Sequence, residues 1–377
     1  SLKHPYSGLV KSEQHYLLRP KMCKSNLHPF LQRLPKCEHH LHLEGALTPE
    51  VLFKLAAKNH IALPNDDPAF ATPDTLKLRY HAFSSLDDFL HYYYIGMSVL
   101  LEAADFEALA WDYFQHAAAD GVAHAELFFD PQAHLSRSVG YDVILSGFAA
   151  ARKRAVAELG ITSELIACFL RHLPPADAVA TWELDAVRAG FSSGQVIGIG
   201  LDSSELPFPP ELFQDVYNKA RAQGLRRTAH AGEEGSAAYV AAALDVLHVG
   251  RIDHGVRVVQ DEALLRRVAR EKILLSVCPI SNVFLRGVPS VADLPIRKFI
   301  DAGVRFSINS DDPAYFGDHY LLANYCAVQE SFGLTAAEWV AICDGSIRGS
   351  WCSDERKGEL LARLGVVSIE WLEQHPA

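Results

Sequence analysis

Short apolar runs alternate with longer amphipathic segments along most of the chain. From Leu31 onward, the short runs are rich in β-branched and apolar residues and predict strands, whereas the longer segments repeat apolar residues at helical spacing. Eight strands are predicted, and they end at His42, Phe129, Leu170, Leu201, His230, His254, Cys278 and Asn309. Because strands that alternate with helices form parallel sheets, the pattern predicts an α/β fold, a TIM-type (β/α)8 barrel.

Capping signals mark the ends of several predicted helices. Thr48 followed by Pro49 is typical of an N-cap and a first helical position, and it opens a predicted helix over Val51–Lys58. Three other helical patterns are followed by a glycine, as is common at helix C-termini: Gly121, Gly224 and Gly303. These boundaries support the alternation of helices and strands.

The connection between the first two strands is much longer than a usual strand-to-helix unit. It spans about residues 48–120 and predicts a helical insertion in which Leu86–Leu101 and Phe106–Ala119 form two extra amphipathic helices. The aromatic run at Tyr92–Tyr94 belongs to the core or to an apolar lid over the barrel mouth, since insertions after barrel strands lie on the catalytic face. We predict one domain over residues 31–377, preceded by a polar, aperiodic extension over residues 1–30 that need not be ordered.

Composition narrows the classes of partner. The 377 residues are 49% hydrophobic and 21% charged, which is typical of a globular protein large enough for one α/β barrel. The formal charge of −11, without a basic run, argues against nucleic acid and against an anionic membrane. A small neutral molecule is the easier substrate, while the oligomeric state is left open.

The seven cysteines show no close pairing and no Cys-x-x-Cys. A chain of this size does not need disulfides, so we expect reduced thiols and a cytoplasmic location, with the nucleus as a further option. His42-Leu43-Glu44 matches half of the zinc nucleobase deaminase signature, but the Pro-Cys-x-x-Cys half is missing. Any zinc site must therefore be built from imidazole and carboxylate groups.

Metal-binding and acid/base residues are concentrated in four short segments at the ends of predicted strands one, five, six and eight. These segments are His40-Leu41-His42, His230-Ala231-Gly232-Glu233, Asp253-His254-Gly255 and Asp311-Asp312-Pro313. A barrel gathers the carboxyl ends of its strands at one rim, whereas a doubly wound open sheet would spread them along an edge. The barrel prediction therefore implies a single site.

A mononuclear metal site accounts for the first segment. His40 and His42 alternate onto the same face of a strand and can share one Zn²⁺, while His39 points the other way. His230 and Asp311 would complete a set of three imidazoles and one carboxylate, which leaves a position for water.

Other residues of these segments allow more than one interpretation. Glu233, three residues beyond His230, could face a substrate or could be a solvated loop carboxylate. Asp312 could contact a substrate or cap the segment that follows it. His254 could orient the water or take its proton.

Taken together and in chain order, the four segments resemble the adenosine/AMP deaminase family of zinc aminohydrolases. The similarity runs from about Leu31 to Trp351 and includes Leu34–Gly45, Arg251–Gly255 and Gly349–Cys352. Within the family, the segments are most similar to the fungal-type adenine deaminase branch. The resemblance implies hydrolytic deamination of a purine base to hypoxanthine and ammonia in purine salvage, with water as co-substrate and without an organic cofactor.

The resemblance also implies a role for each residue. One Zn²⁺ per chain would be bound by His40, His42, His230 and Asp311. The proton donor to purine N1 would be Glu233, and the attacking hydroxide would be handled by His254 and Asp311. Purine N7 would contact Asp312, and purine N3 would contact the backbone N–H of Ser203.

Two departures from the nucleoside-specific branch predict a free base as substrate. Asp253 and Ser203 stand where that branch has glycines, so both were expected beside the N3/N9 edge, with Asp253 accepting from N9–H. Glu44 replaces an aspartate associated with ribose, which puts its binding role in doubt. The alternatives are an enzyme for N6-substituted purines, adenosine or nucleotides, a zinc hydrolase of esters or lactones, and a catalytically inactive binding protein.

Overall fold

The computed structural model describes residues 23–375, and its centre is one parallel sheet of eight strands in the order β1 to β8. Each strand pairs with the next one along the chain. The strands are β1 (Lys36–His42), β2 (Val122–Phe129), β3 (Thr162–Leu170), β4 (Gly198–Asp202), β5 (Arg226–Ala231), β6 (Arg251–His254), β7 (Leu274–Val277) and β8 (Phe306–Ile308). All eight predicted strands are present, and the predicted (β/α)8 barrel is confirmed.

The barrel closes through residues that follow its short last strand. Leu41 of β1 forms a parallel bridge with Asp311, three residues beyond the end of β8. The backbone N–H of Asp311 donates to the carbonyl of His40 at 3.0 Å, and the N–H of His42 donates to the carbonyl of Asp311 at 3.0 Å. Closure therefore brings Asp311 directly beside the two histidines of β1.

Helices cover the outside of the barrel. In the described part of the chain they are α1 (His28–Arg33), α2 (Pro49–Lys58), α3 (Pro73–Tyr80), α4 (Leu86–Met97), α5 (Ala103–Ala119), α6 (Pro131–Leu135), α7 (Tyr141–Leu159), α8 (Pro175–Trp182), α9 (Asp185–Ser192), α10 (Gln214–Ala222), α11 (Ala237–Asp245), α12 (Glu262–Glu271), α13 (Pro279–Phe284), α14 (Ile296–Ala302), α15 (Leu321–Phe332), α16 (Ala336–Gly349) and α17 (Asp354–Gln374). The hydroxyl of Thr48 accepts from the N–H of Val51, so the predicted cap of α2 is present. Within residues 23–375, no helix is long and apolar enough to cross a membrane.

The predicted insertion forms α2 to α5, and its aromatic run serves both of the roles considered. Tyr92 is buried away from the barrel axis, where its ring stacks on Phe70 with the centroids 5.6 Å apart. Tyr93 and Tyr94 line the cavity at the barrel mouth. Helix α4 is thus packed into the core on one side and covers the mouth on the other.

The N-terminal extension predicted over residues 1–30 lies mostly outside the described residues. Residues 23–30 are described and belong to the folded chain, since α1 begins at His28 and both His28 and Phe30 are buried. The ring of Phe30 packs on Trp371 of α17, with the centroids 5.1 Å apart. The folded chain therefore starts before Leu31.

Candidate active site

A cavity at the C-terminal rim of the barrel contains most of the residues selected from the sequence. The space between its lining atoms, counted out to open solvent, is about 360 Å³. Its polar lining is formed by His42, Asp130, Asp202, Ser203, His230, Glu233, His254, Asp311 and Asp312, and its apolar wall by Leu86, Phe89, Leu90, Tyr93, Tyr94 and Leu285. The predicted convergence of strands one, five, six and eight is therefore observed.

Four potential ligands lie together at the bottom of this cavity. Nε2 of His40 lies 3.2 Å from Oδ1 of Asp311, and Nε2 of His42 lies 3.5 Å from the same oxygen. Nε2 of His42 is 3.3 Å from Nε2 of His230. All four side chains are at least nine-tenths buried.

These distances suit a tetrahedral metal ion. With bonds of 2.0–2.1 Å, neighbouring ligand atoms of zinc stand about 3.3–3.4 Å apart. Nε2 of His40 is buried without a hydrogen-bond partner, and a buried polar atom of that kind is costly unless something binds it. Three imidazoles and one carboxylate are donors that zinc takes, and the three distances given above are close to this separation.

Polar side chains behind the histidines fix their ring orientations. Oδ2 of Asp202 lies 3.4 Å from Nδ1 of His42, and Oγ of Ser276 hydrogen-bonds with Nδ1 of His40 at 3.0 Å. Such partners usually set the tautomer of a metal-binding histidine, so that its other nitrogen faces the ion.

His254 stands beside the four potential ligands, on the side of Glu233. Its Nε2 is 3.5 Å from Oε2 of Glu233 and 3.7 Å from Oδ2 of Asp311. Ligand atoms of His254, His40, His230 and Asp311 all lie within 4.8 Å of one another, whereas His42 forms such groups with acidic residues of the cavity, one of them with Asp311 and Asp312. Burial, followed by the charge of His40, holds the pKa of His254 well below its usual value, so the ring is neutral and can accept a proton.

Glu233 and Asp312 both face the cavity as buried carboxylic acids. Burial, and then the charge of Asp311, hold the pKa of each carboxyl group well above its usual range. The raised pKa values favour the protonated forms of both groups, in which each carboxyl group can donate a hydrogen bond. Asp312 approaches the chain so closely at Gly45 that a side chain at that position would overlap its carboxyl group.

Asp253 is not brought to the cavity, which corrects the expectation that it contacts the substrate. It is fully buried inside the barrel, where Oδ1 accepts from the hydroxyls of Thr228 at 2.8 Å and Ser276 at 3.0 Å. Oδ2 lies 3.5 Å from Nδ1 of His230. Asp253 therefore supports a histidine, and its carboxylate lies behind that ring instead of beside a purine.

Ser203 lines the cavity and joins it to the inserted helix. Its hydroxyl accepts from the hydroxyl of Tyr94 at 2.9 Å and hydrogen-bonds with Nδ1 of His172 at 2.6 Å. The backbone of Ser203 has a φ of +76°, a left-handed conformation that is costly for a residue with a side chain. This connected group of three residues narrows one side of the cavity.

Glu44, whose binding role the sequence left in doubt, lies in a turn after β1. This turn spans Leu43–Ala46, and Oε1 of Glu44 accepts from the N–H of Asp130 at 3.0 Å. The same oxygen pairs with Nε2 of His134 at 2.7 Å. Glu44 therefore stabilises the residues after β2 that form one side of the site.

Sequence analysis missed two acidic residues of the cavity, Asp130 and Asp202. Burial raises the pKa of Asp202 to about 6, and burial together with Asp202 holds the pKa of Asp130 well above its usual value. Asp202 ends β4 and Asp130 follows β2 directly. Acidic residues at the ends of predicted strands were the available signal.

Comparisons with known proteins agree with this geometry. The family model described as adenosine deaminase matches residues 35–366. A protein of Schizosaccharomyces pombe named adenine deaminase is 56% identical over 338 residues, which cover 90% of this chain and 92% of that protein. A protein of the same name from Aspergillus oryzae is 55% identical over 343 residues, covering 91% and 97%.

Solved structures give the same assignment. The crystal structure of adenine deaminase from Arthrobacter aurescens is similar with a TM-score of 0.83 and 41% identity, covering 90% of this chain and 99% of that one. An amidohydrolase from Burkholderia ambifaria with bound zinc has a TM-score of 0.82 and 30% identity, covering 94% and 96%. With a family match over most of its length and relatives more than half identical, the chain belongs to the adenosine deaminase family.

Proposed function

We propose that this protein is a zinc-dependent aminohydrolase that converts adenine and water to hypoxanthine and ammonia. The observation that carries the proposal is that two buried carboxyl groups with raised pKa values, those of Glu233 and Asp312, face the same small cavity as the histidine cluster. A hydrolase of esters or lactones has no use for these two donors, whereas a purine offers N1 and N7 as acceptors. The family assignment and the relatives named adenine deaminase support the same reaction.

His40, His42, His230 and Asp311 are the proposed ligands of one zinc ion per chain. Zinc bound there would act as a Lewis acid and lower the pKa of a water molecule toward about 7. His254 is proposed as a proton acceptor and not as a ligand, because its Nε2 faces Glu233 and stands farther from Asp311 than that of His40 does.

The chain's own residues supply the proton transfers. His254 is neutral and accepts a proton from the attacking water, with Asp311 beside it to stabilise the charge. Glu233 donates its proton to N1 as water adds to C6, so no anion forms on the ring. Asp312 donates to N7 and holds the ring in position. Collapse of the tetrahedral adduct forms the C6=O bond and breaks the C6–N6 bond. The proton held by His254 passes to the amino group, which leaves as ammonia, and the hydroxyl proton of the adduct returns to Glu233.

Selection of a free base is supported by the shape and charge of the cavity. Tyr94 and Ser203 line one side of the cavity, and hydrogen bonds of the Ser203 hydroxyl to Tyr94 and His172 hold them there, which leaves little space for a ribose on that side. Within residues 23–375, no lysine or arginine lines the cavity, although a nucleotide phosphate would require one. These features favour adenine over adenosine and AMP.

We also propose that the protein acts in the cytoplasm, the nucleus or both. All seven cysteines lie in the described part of the chain and are free, as expected where thiols stay reduced. The proposed partners are a purine base and water.

The deciding experiment measures ammonia release from adenine, adenosine, AMP and N6-alkyladenines at matched zinc content. We expect adenine to exceed adenosine by about 10³ or more in kcat/KM, because the ribose meets occupied space. Equal rates on the two substrates would contradict base specificity. A preference for an N6-alkyladenine would reassign the substrate while retaining the reaction class.

A further inference from the structure

Glu205 makes four hydrogen bonds to a single loop. It lies three residues beyond β4 and is fully buried. Its Oε1 accepts from the N–H of Gly232 at 2.7 Å. Its Oε2 accepts from the N–H groups of the next three residues at 3.1, 2.6 and 2.8 Å, and these residues are Glu233, Glu234 and Gly235.

The loop that Glu205 binds carries the proposed proton donor. Residues 232–235 connect β5 to α11, and their consecutive N–H groups converge on one carboxylate in the way that backbone nests bind anions. Gly232 has a φ of +75°, and a Cβ on Gly235 would come within 2.7 Å of Oε1 of Glu205. The loop backbone is therefore shaped to fit this carboxylate.

The side chain of Glu233 has little to hold it apart from this backbone. Its carboxyl group contacts His254 at 3.5 Å, which is longer than a normal hydrogen bond. On the other side of the loop, Nε of Arg257 donates to the carbonyl of Glu233 at 3.1 Å. Glu205 and Arg257 thus both hold this backbone, and Glu205 makes the larger number of hydrogen bonds to it.

We propose that Glu205 is a positioning residue that fixes Glu233 at the distance needed to protonate the purine ring. The inference rests on the proposed function, because it assigns Glu205 a role through that proton donor. An ionised carboxylate has acceptor positions for all four N–H groups, and it is acceptor-only. A glutamine amide at the same position has only one oxygen. Its NH₂ group would face backbone N–H donors, so the hydrogen bonds of one carboxylate oxygen would be lost.

Glu205→Gln tests the proposal. We expect kcat on adenine to fall on the order of 10²-fold while KM changes less than about threefold, because a displacement near 1 Å is enough to misalign a reacting group. Zinc content per chain should stay at the wild-type level. Glu205→Asp keeps the charge on a shorter side chain, and it should recover part of the lost kcat.

A double-mutant cycle separates positioning from general damage. If Glu205 acts through Glu233, then Glu205→Gln should cost little further activity in a Glu233→Gln background. Additive losses would overturn the proposal. Asp120→Asn is the matched control, since Asp120 is a buried carboxylate that accepts from the N–H of Leu322 at 2.8 Å outside the cavity. It should lower stability without lowering kcat per bound zinc.

Amide hydrogen exchange gives a readout that does not depend on the reaction. The N–H groups of residues 232–235 should be protected in the wild type and should exchange faster in Glu205→Gln, with little change elsewhere in the barrel. Unchanged exchange in these residues would overturn the positioning role even in an active enzyme. An inactive wild type with the expected exchange change would contradict the proposed function alone.

Discussion

Oδ2 of Asp253 lies 3.5 Å from Nδ1 of His230, so a carboxylate on β6 stands behind an imidazole on β5. Burial alone would raise the pKa of Asp253, but the close imidazole and the charge of His230 outweigh it and hold the pKa below its usual value. The carboxylate is thus ionised and suited to orient a ligand ring.

Asp253→Asn should therefore weaken zinc binding by about 10- to 100-fold, the usual effect of losing a partner behind a metal ligand. The ratio of adenine to adenosine turnover at saturating zinc should stay within about threefold of the wild type, because Asp253 does not reach the cavity. Zinc titration against a competing chelator and the two-substrate assay measure these quantities. If the ratio of adenine to adenosine turnover fell sharply while zinc affinity stayed normal, Asp253 would have to contact the substrate.

His40→Ala and Asp311→Ala should each remove both zinc and activity, because each variant deletes one of four closely spaced ligand atoms. Elemental analysis of the purified proteins checks the metal. The matched control is His39→Gln on the opposite face of β1, where the imidazole hydrogen-bonds with Ser307 at 3.0 Å and Ser350 at 2.7 Å. That variant should keep its zinc and lose about 1–3 kcal/mol of stability. Full zinc occupancy in His40→Ala would remove His40 from the ligand set.

Glu233→Gln should retain zinc and slow turnover by about 10²–10⁴-fold, since an amide matches the carboxyl group in size but has no acidic proton to give. The raised pKa of Glu233 also predicts a pH dependence. The protonated form is the active one, so kcat in the wild type should be constant below this pKa and fall as the pH rises through it. The residual activity of Glu233→Gln should lack that alkaline decline. A variant with normal kcat would show that another group protonates N1.

Tyr94→Phe should lower kcat/KM for adenine by about 2- to 10-fold, because the hydroxyl of Ser203 loses one hydrogen-bond partner worth about 0.5–1.5 kcal/mol. Zinc content should be unaffected. Tyr92→Phe is the matched control on the same helix, since its hydroxyl donates to Asp67 at 2.6 Å away from the cavity. A similar loss in both variants would point to general damage of α4.

The alternation of side chains along a strand explains why β6 could be located from the sequence while the direction of the Asp253 side chain could not. The apolar pattern located the strand, and the His-Gly pair marked its end. Because neighbouring residues point to opposite faces, Asp253 and His254 cannot both point into the barrel from a regular strand. His254 has a φ of +63°, and this left-handed backbone turns its side chain toward the cavity. The side chain of Asp253 points into the barrel interior, beneath the cavity. Nothing in the residue types alone reveals such a turn.

Contacts between segments that are far apart in the sequence could not be predicted either. Glu205 lies 27 residues before Gly232, and its hydrogen bonds depend on how the loops after β4 and β5 meet in space. Glu205 was not among the residues selected from the sequence, since its direction toward backbone N–H groups could not be predicted. The proposed ligands were easier to find, because the spacing of His40 and His42 puts two imidazoles on one face of a strand, and His230 and Asp311 stand at the ends of predicted strands.

Because Leu41 forms a bridge with Asp311, a metal ion bound by Asp311 would also stabilise the closure of the barrel. The residue that completes the hydrogen-bonded ring is also a proposed ligand, and it holds a left-handed backbone with a φ of +66° that costs about 1–3 kcal/mol. Zinc bound by Asp311 would favour the folded state by linkage. Its binding free energy would stabilise the junction between β1 and β8, the shortest strand of the barrel. Chelation should therefore open the barrel between its first and last strands before it affects β2 to β4, so metal supply would govern the lifetime of the protein as well as its activity.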